Sequence, residues 1–317
     1  MNSEPVLVIV KAVVNGREKH VVRHFYLLLL LLLFNNSTGA EVEPADAAAR
    51  RHALEHSYGT YAFGARTADG RLDFSRLLTE LGELHANTYN FLIAGNKTGW
   101  DELHMFLPLA QKRGIRVWVT VLPPSESAPK TSYYSEPFRL DYEKWASELA
   151  ALSLSEPALV AWSVDDFAYN LKTAFTPERM RAIIAAQRAR NPKFAFVPCV
   201  YYKQATPAFA KTYGKFLDGV LFPYRSESTT AGFADATQVV PEVQTIKQRF
   251  GQDFPVIVDI YATRHSRLGP STPVYVEQVM KLAHPVADGV HIYKHQDKNK
   301  PDEREKYEVM QREMSSW

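Results

Sequence analysis

Two adjacent carboxylates, Asp165 and Asp166, close the apolar run Leu159 to Val164. Neighbouring carboxyls repel unless one keeps its proton or a ligand compensates, and any burial widens the gap between them. A pair whose pKa values are pushed apart can divide the work of general acid and base. Other readings of the pair are a helix cap, a solvated loop or a metal site. The next helix has its own cap at Thr176, and the ten His are scattered without an H-x-H, H-E-x-x-H or Cys cluster nearby. No metal is therefore expected. Four tyrosines, Tyr201, Tyr224, Tyr261 and Tyr293, stand at the ends of other apolar runs. Each alone is more often a core-edge residue. Together they suit a carbohydrate cleft, with rings stacking on sugar faces and hydroxyls hydrogen-bonding. Asn90, Lys97, Arg225 and Asp259 occupy comparable positions and complete the set expected to bind substrate.

The elements that must carry these residues are eight strand-like runs: Tyr58 to Ala65, Thr88 to Ile93, Arg116 to Leu122, Leu159 to Asp165, Phe194 to Tyr201, Gly219 to Tyr224, Val256 to Tyr261 and Gly289 to Tyr293. Most are continuously apolar, as strands covered on both faces are. Helical patterns alternate with them. Leu103, Phe106, Leu107 and Ala110 repeat at helical spacing, with Gly114 in the position that ends such a helix. Thr176-Pro177, Thr206-Pro207 and Thr272-Pro273 each pair an N-cap with a proline in the first turn. Eight βα units over residues 58–317 predict a single (β/α)8 TIM barrel, in which chemistry sits at the C-terminal strand ends. An open doubly wound sheet would normally show a glycine-rich phosphate loop, and none is present. No organic cofactor is expected.

Hydrophobic residues make up 46% of the 317 and charged ones 23%, enough for one large core. The 37 basic and 35 acidic residues are interspersed, which argues against a nucleic-acid partner. Seven consecutive leucines, Leu27 to Leu33, follow Lys11, Arg17, Lys19 and Arg23 and precede Thr38-Gly39-Ala40. With its aromatic flanks this run is about ten residues, too short for a ~30 Å hydrocarbon core. It predicts a signal peptide over 1–40, a linker over 41–57 and a secreted or periplasmic protein, with no membrane contact beyond the signal segment. An uncleaved anchor is the alternative, and it too places the domain outside the cytoplasm. Cys199 is the single cysteine, so no intrachain disulfide can form.

Several segments together resemble the β-N-acetylglucosaminidases of the O-GlcNAcase and hyaluronoglucosaminidase type. Ala86-Asn87-Thr88-Tyr89, followed by Lys97 and Trp100, is similar to that family's second-strand region, and Phe106 to Leu122 to its second helix and third strand. Val164-Asp165-Asp166-Phe167 resembles its paired-aspartate motif, Val197-Pro198-Cys199-Val200-Tyr201 its fifth strand and Asp259-Ile260-Tyr261 its seventh. The resemblance implies substrate-assisted retaining hydrolysis, in which the 2-acetamido oxygen of the substrate attacks the anomeric carbon. Asp165 would then polarise the acetamido N–H, Asp166 would act as acid and base, Tyr201 would support the acetamido pocket and Asp259 would hold sugar hydroxyls. Phe222-Pro223-Tyr224-Arg225 and Tyr293-Lys294-His295 depart from the family pattern. Arg225 and Lys294 there fit an acidic or sulfated sugar. A carbohydrate-binding barrel without catalysis is the rival reading.

Overall fold

The computed structural model describes residues 42–317; the signal segment expected over 1–40 lies outside the described residues. Eight strands, β1 (Ser57–Tyr61), β2 (Thr88–Ile93), β3 (Arg116–Val121), β4 (Leu159–Val164), β5 (Ala195–Phe196), β6 (Val220–Tyr224), β7 (Val256–Tyr261) and β8 (Gly289–Tyr293), alternate with helices. All pair in parallel, in the order β5-β4-β3-β2-β1-β8-β7-β6. The bridge between Cys199 and Leu221, with the Val200 N–H donating to the Leu221 carbonyl at 2.9 Å, joins the β5 end of the sheet to β6. The expected (β/α)8 barrel is the fold observed.

Alternate residues of each strand face opposite sides. One parity, including Tyr61, Trp118, Ala161, Ala195, Leu221 and Ile257, packs into the barrel interior, where Leu54 joins it. The other parity, including Val119, Trp162, Phe222, Val258 and Ile292, packs against the helices in a far larger cluster. The helix signals act as read. Thr176, Thr206 and Thr272 each accept a backbone N–H from the residue three positions on. Gly114 ends α3 (Gly99–Lys112) with φ +68°.

Three expected boundaries shift for local reasons. The first strand stops at Tyr61 because Ala62 and Phe63 take positive φ and turn the chain. The fifth shrinks to Ala195–Phe196: Pro198 has no N–H to donate, and the Phe196 N–H goes instead to Asp218 Oδ2 at 2.9 Å. The fourth ends at Val164, just before Asp166 enters the left-handed region at φ 42°, ψ 35°.

The segment expected as a linker, 41–57, is corrected most. It contains helix α1 (Val42–His52) and the start of β1. Alanine-rich, charge-bearing sequence is good helix material, and here tertiary contacts hold it. Arg50 Nε donates to Asp218 Oδ1 at 2.6 Å with both side chains buried, and Arg50 Nη1 donates to the Pro192 carbonyl at 2.5 Å. Among the described residues no helix is long and apolar enough to cross a membrane.

Candidate active site

Asp165 continues the interior parity of β4 after Ala161 and Ser163, so its side chain enters the barrel mouth. Its carboxylate is met by donors on several sides. The Tyr61 hydroxyl donates to Oδ2 at 3.0 Å and the Asp166 N–H donates to Oδ1 at 2.9 Å. The Cys199 sulfur lies within 4.8 Å of one carboxylate oxygen and also favours the charged form. Burial raises the Asp165 pKa, and these three groups pull against that by stabilising the charge.

Asp166 stands in a different setting. Its left-handed backbone swings the side chain away from the strand line, and burial together with the charge of Asp165 pushes its carboxyl up to about 6. The Asp166 carbonyl accepts from Asn170 Nδ2 at 3.0 Å, and the same amide nitrogen donates to Ser125 Oγ at 2.8 Å. That clamp ties the loop after β3 to the loop after β4. It brings in Glu126, whose carboxyl is pushed up to about 8 by burial and by the negative charges of Asp165 and Asp166. Three carboxyls thus share one cleft, all raised, with Asp166 near 6 and Glu126 near 8.

Asp259 reaches the same cleft from β7. It is 3% exposed, its Oδ1 has no hydrogen-bond partner among the described residues, and burial holds its carboxyl well above the usual range, with the charge of Asp165 adding to the shift. The aromatic wall is made by Tyr61, Tyr201, Tyr261 and Tyr293. The Tyr293 ring lies 5.1 Å from that of Tyr61 and 5.4 Å from that of Tyr261, and the hydroxyls of Tyr201 and Tyr261 are 3.4 Å apart.

The carboxylates and these tyrosines surround a chamber of about 200 Å³. It opens, past Glu126, Asp166, Tyr201 and Tyr261, into a second of about 390 Å³ lined also by Tyr169, Arg225 and Arg267. A third of about 690 Å³ adjoins across Tyr293 and Arg264. Such volumes are those of small-ligand and sugar-sized sites.

Of the residues expected from sequence, Asp165, Asp166, Tyr201, Asp259, Tyr261 and Tyr293 line the first chamber and Arg225 the second. Three others go elsewhere. Tyr224 has the outward parity of β6, stacks on Tyr275 and donates its hydroxyl to the Asp235 carbonyl at 2.6 Å, so it is helix-side core. Asn90 faces inward but is fully buried, accepting from Thr120 Oγ1 at 2.7 Å, and lines none of these chambers. Lys97 is exposed on the loop before α3. Lys294 borders the third chamber and pairs with Glu303 at 3.4 Å.

Sequence reading missed Tyr61, Glu126, Cys199 and His265. Tyr61 had a signal, since it closes β1 just as Tyr293 closes β8 and the two are register partners. Glu126 lies in an aperiodic loop and had none.

One oxygen each from Asp165 and Asp166 and the Cys199 sulfur lie within 4.8 Å of one another, the only such candidate metal group among the described residues. Burial and the two carboxylates raise the Cys199 thiol well above its usual range, and the group offers only three ligand atoms.

Replacing Tyr61 with Phe tests the Asp165 environment. Losing a hydroxyl donor to a carboxylate is expected to raise the Asp165 carboxyl further, because the lost bond had favoured the ionised form. An unchanged Asp165 titration, followed by NMR in parent and variant, would remove Tyr61 from its electrostatic environment.

No family model matches the sequence, and no curated protein matches it. Solved structures do match by fold. GH5_18 from Streptomyces cattleya in complex with GlcNAc superposes at TM-score 0.57 and 13% identity, covering 83% of this chain and 82% of that one. A variant of the same protein in complex with Manβ1-4GlcNAc gives 0.58 and 12%, covering 83% and 81%. A glycoside hydrolase family 5 enzyme from Prevotella bryantii, in complex with a xyloglucan tetradecasaccharide, gives 0.55 and 12%, covering 84% and 98%. These are family 5 proteins rather than the O-GlcNAcase type that the sequence segments resemble. At such identities the likeness concerns architecture alone: this chain carries the (β/α)8 fold that glycoside hydrolases use.

Proposed function

We propose that the protein is an exported glycoside hydrolase acting on glycans that contain an N-acetylhexosamine, with Asp165 and Asp166 as its working pair. The observation that carries this reading is the division of labour within the pair. The Tyr61 hydroxyl and the Asp166 N–H donate to Asp165 and oppose the burial that raises its carboxyl, while the carboxyl of Asp166 beside it is pushed up to about 6. Asp166 is suited to protonate the leaving oxygen and then to activate water. Asp165 is suited to accept the acetamido N–H as the acetamido oxygen closes on the anomeric carbon.

Substrate assistance is favoured by the state of Asp259. An ordinary retaining enzyme needs a second ionised carboxylate as nucleophile, about 5–5.5 Å from the acid. Asp259 is the cleft carboxyl on strand β7, and burial raises it well above the usual range, which disfavours the ionised form a nucleophile needs and favours a hydrogen bond to a sugar hydroxyl. The tyrosine wall and the chamber volumes support a sugar ligand, and neighbours of the same fold hold GlcNAc-containing ligands. The leucine run with its basic flank supports export.

The test is a panel of aryl glycosides and glycan fragments offered to the full chain, with a thiazoline-type inhibitor beside it. Turnover of 2-acetamido sugars, blocked by the inhibitor, is the expected result. Turnover confined to sugars without an acetamido group would sink the substrate-assisted mechanism. Binding without turnover of any sugar would favour a carbohydrate-binding barrel.

A further inference from the structure

The larger chamber beside the pair holds an arrangement that hydrolysis itself does not require. Arg225 is 9% exposed, and its guanidinium lies over the Tyr201 ring, 3.9 Å from the centroid, with Nη2 and Nε donating to Glu227 Oε1 at 2.6 and 3.2 Å. Burying an arginine so near an acid pair and fixing it by a carboxylate and a ring is costly unless its remaining donors have a use.

His265 indicates what that use is. It sits in the short hairpin Arg264–His265 with Gly269–Pro270, which overhangs the cleft after β7. Its Nδ1 accepts the backbone N–H groups of Arg267 at 3.1 Å and Leu268 at 3.2 Å. A neutral ring that accepts at Nδ1 carries its proton on Nε2. That proton points to Arg225 Nη1, 3.3 Å away, which is itself a donor. Two N–H groups therefore face each other where an acceptor belongs. Arg267, exposed on the same hairpin, has no ion-pair partner among the described residues, yet its charge is felt at Asp166. Tyr169, which lines the same chamber and packs against Tyr201, presents a ring that is 56% exposed.

We propose that this chamber is an anion subsite in which Arg225, His265 and Arg267 together hold the carboxylate or sulfate of an acidic sugar lying against Tyr169. The proposal rests on the glycosidase reading for its ligand class but not for its geometry. It also relocates the cationic recognition expected at Lys294, which is paired with Glu303 in the neighbouring chamber. Glu126, the other acid bordering this chamber, is neutral below about pH 8 and does not repel an anion there.

The experiment is calorimetric binding of three oligosaccharides of equal length to the full chain carrying Asp166→Asn: one neutral, one with glucuronate and one with sulfated GlcNAc. Either anionic ligand is expected to bind about tenfold or more tightly than the neutral one, and the two arms tell carboxylate from sulfate. Arg267→Gln is expected to remove about tenfold of that preference. Lys211→Gln, an exposed change on the helix Pro207–Tyr213 that lines neither chamber, leaves it intact. Equal binding of all three ligands, or an Arg267→Gln that weakens neutral and anionic ligands alike, would overturn the subsite. Anion preference without turnover of any glycan by the parent chain would uphold the subsite and defeat the glycosidase reading, whereas turnover of neutral glycans without anion preference would do the reverse.

Discussion

Asp166→Asn is expected to lower kcat/KM by about 10²- to 10⁴-fold on a glycan or alkyl glycoside, the range that a positioned general acid contributes. Asn keeps the size of the side chain and removes the proton, so binding should survive. The loss should shrink on a dinitrophenyl glycoside, whose leaving group departs without protonation. A loss that is equal on both substrates would mean that Asp166 acts in some other way. Glu126→Gln is the discriminating control. Glu126 is already neutral below about pH 8, so the amide should change little. A larger loss there than at Asp166 would transfer the acid role to Glu126.

The same chemistry sets the pH dependence. The acid must be protonated and Asp166 titrates near 6, so the rate holds below about pH 6 and falls as pH rises through it. Asp165 must be ionised, so the rate falls again at low pH. Its carboxyl is raised by burial, which places that acidic limb above the ordinary aspartate range. The two carboxyls interact, so the limbs of the measured profile belong to the pair rather than to either residue alone. Asp166→Asn should abolish the basic limb and keep the acidic one.

Arg50→Ala is expected to cost about 3–5 kcal/mol of stability, the range for breaking a buried ion pair from one side. The Asp218 carboxyl is already raised by burial, against the pull of Arg50. Without the guanidinium it must take up a proton or stay charged and unpaired, and the Pro192 carbonyl loses its donor as well. Urea unfolding of the parent and variant in one buffer measures the difference. Replacing both partners, as Arg50→Met with Asp218→Leu, should recover most of it, because the apolar pair leaves no charge stranded. A chain started at Tyr58 lacks Arg50 and should be destabilised at least as much. A cost for Arg50→Ala below about 1 kcal/mol, the level of an exposed pair, would show that α1 does not brace the barrel.

The sequence by itself determined what depends on short-range order. Runs such as Arg116 to Val121 and Val256 to Tyr261 are apolar at both parities because helices cover one side and the barrel interior fills the other. The Thr-Pro caps act within one helical turn. Both features are legible without knowing what lies across the barrel, and so was the position of Asp165-Asp166 at the end of β4. Tyr224 shows where that legibility stopped. It ends its run as Tyr261 and Tyr293 end theirs, but Pro223 and Arg225 hold the inward positions of that strand end and Tyr224 faces the helices. Helix α1 was read as a linker because its anchor, Asp218, lies 168 positions away from Arg50. Only the tertiary structure could decide which side chains meet in the cleft. The meeting of Tyr61 with Asp165, of Glu126 with the pair and of His265 with Arg225 depends on the register between strands distant in sequence and on loops with no periodic pattern. Those contacts also set the proton affinities on which the proposed chemistry rests.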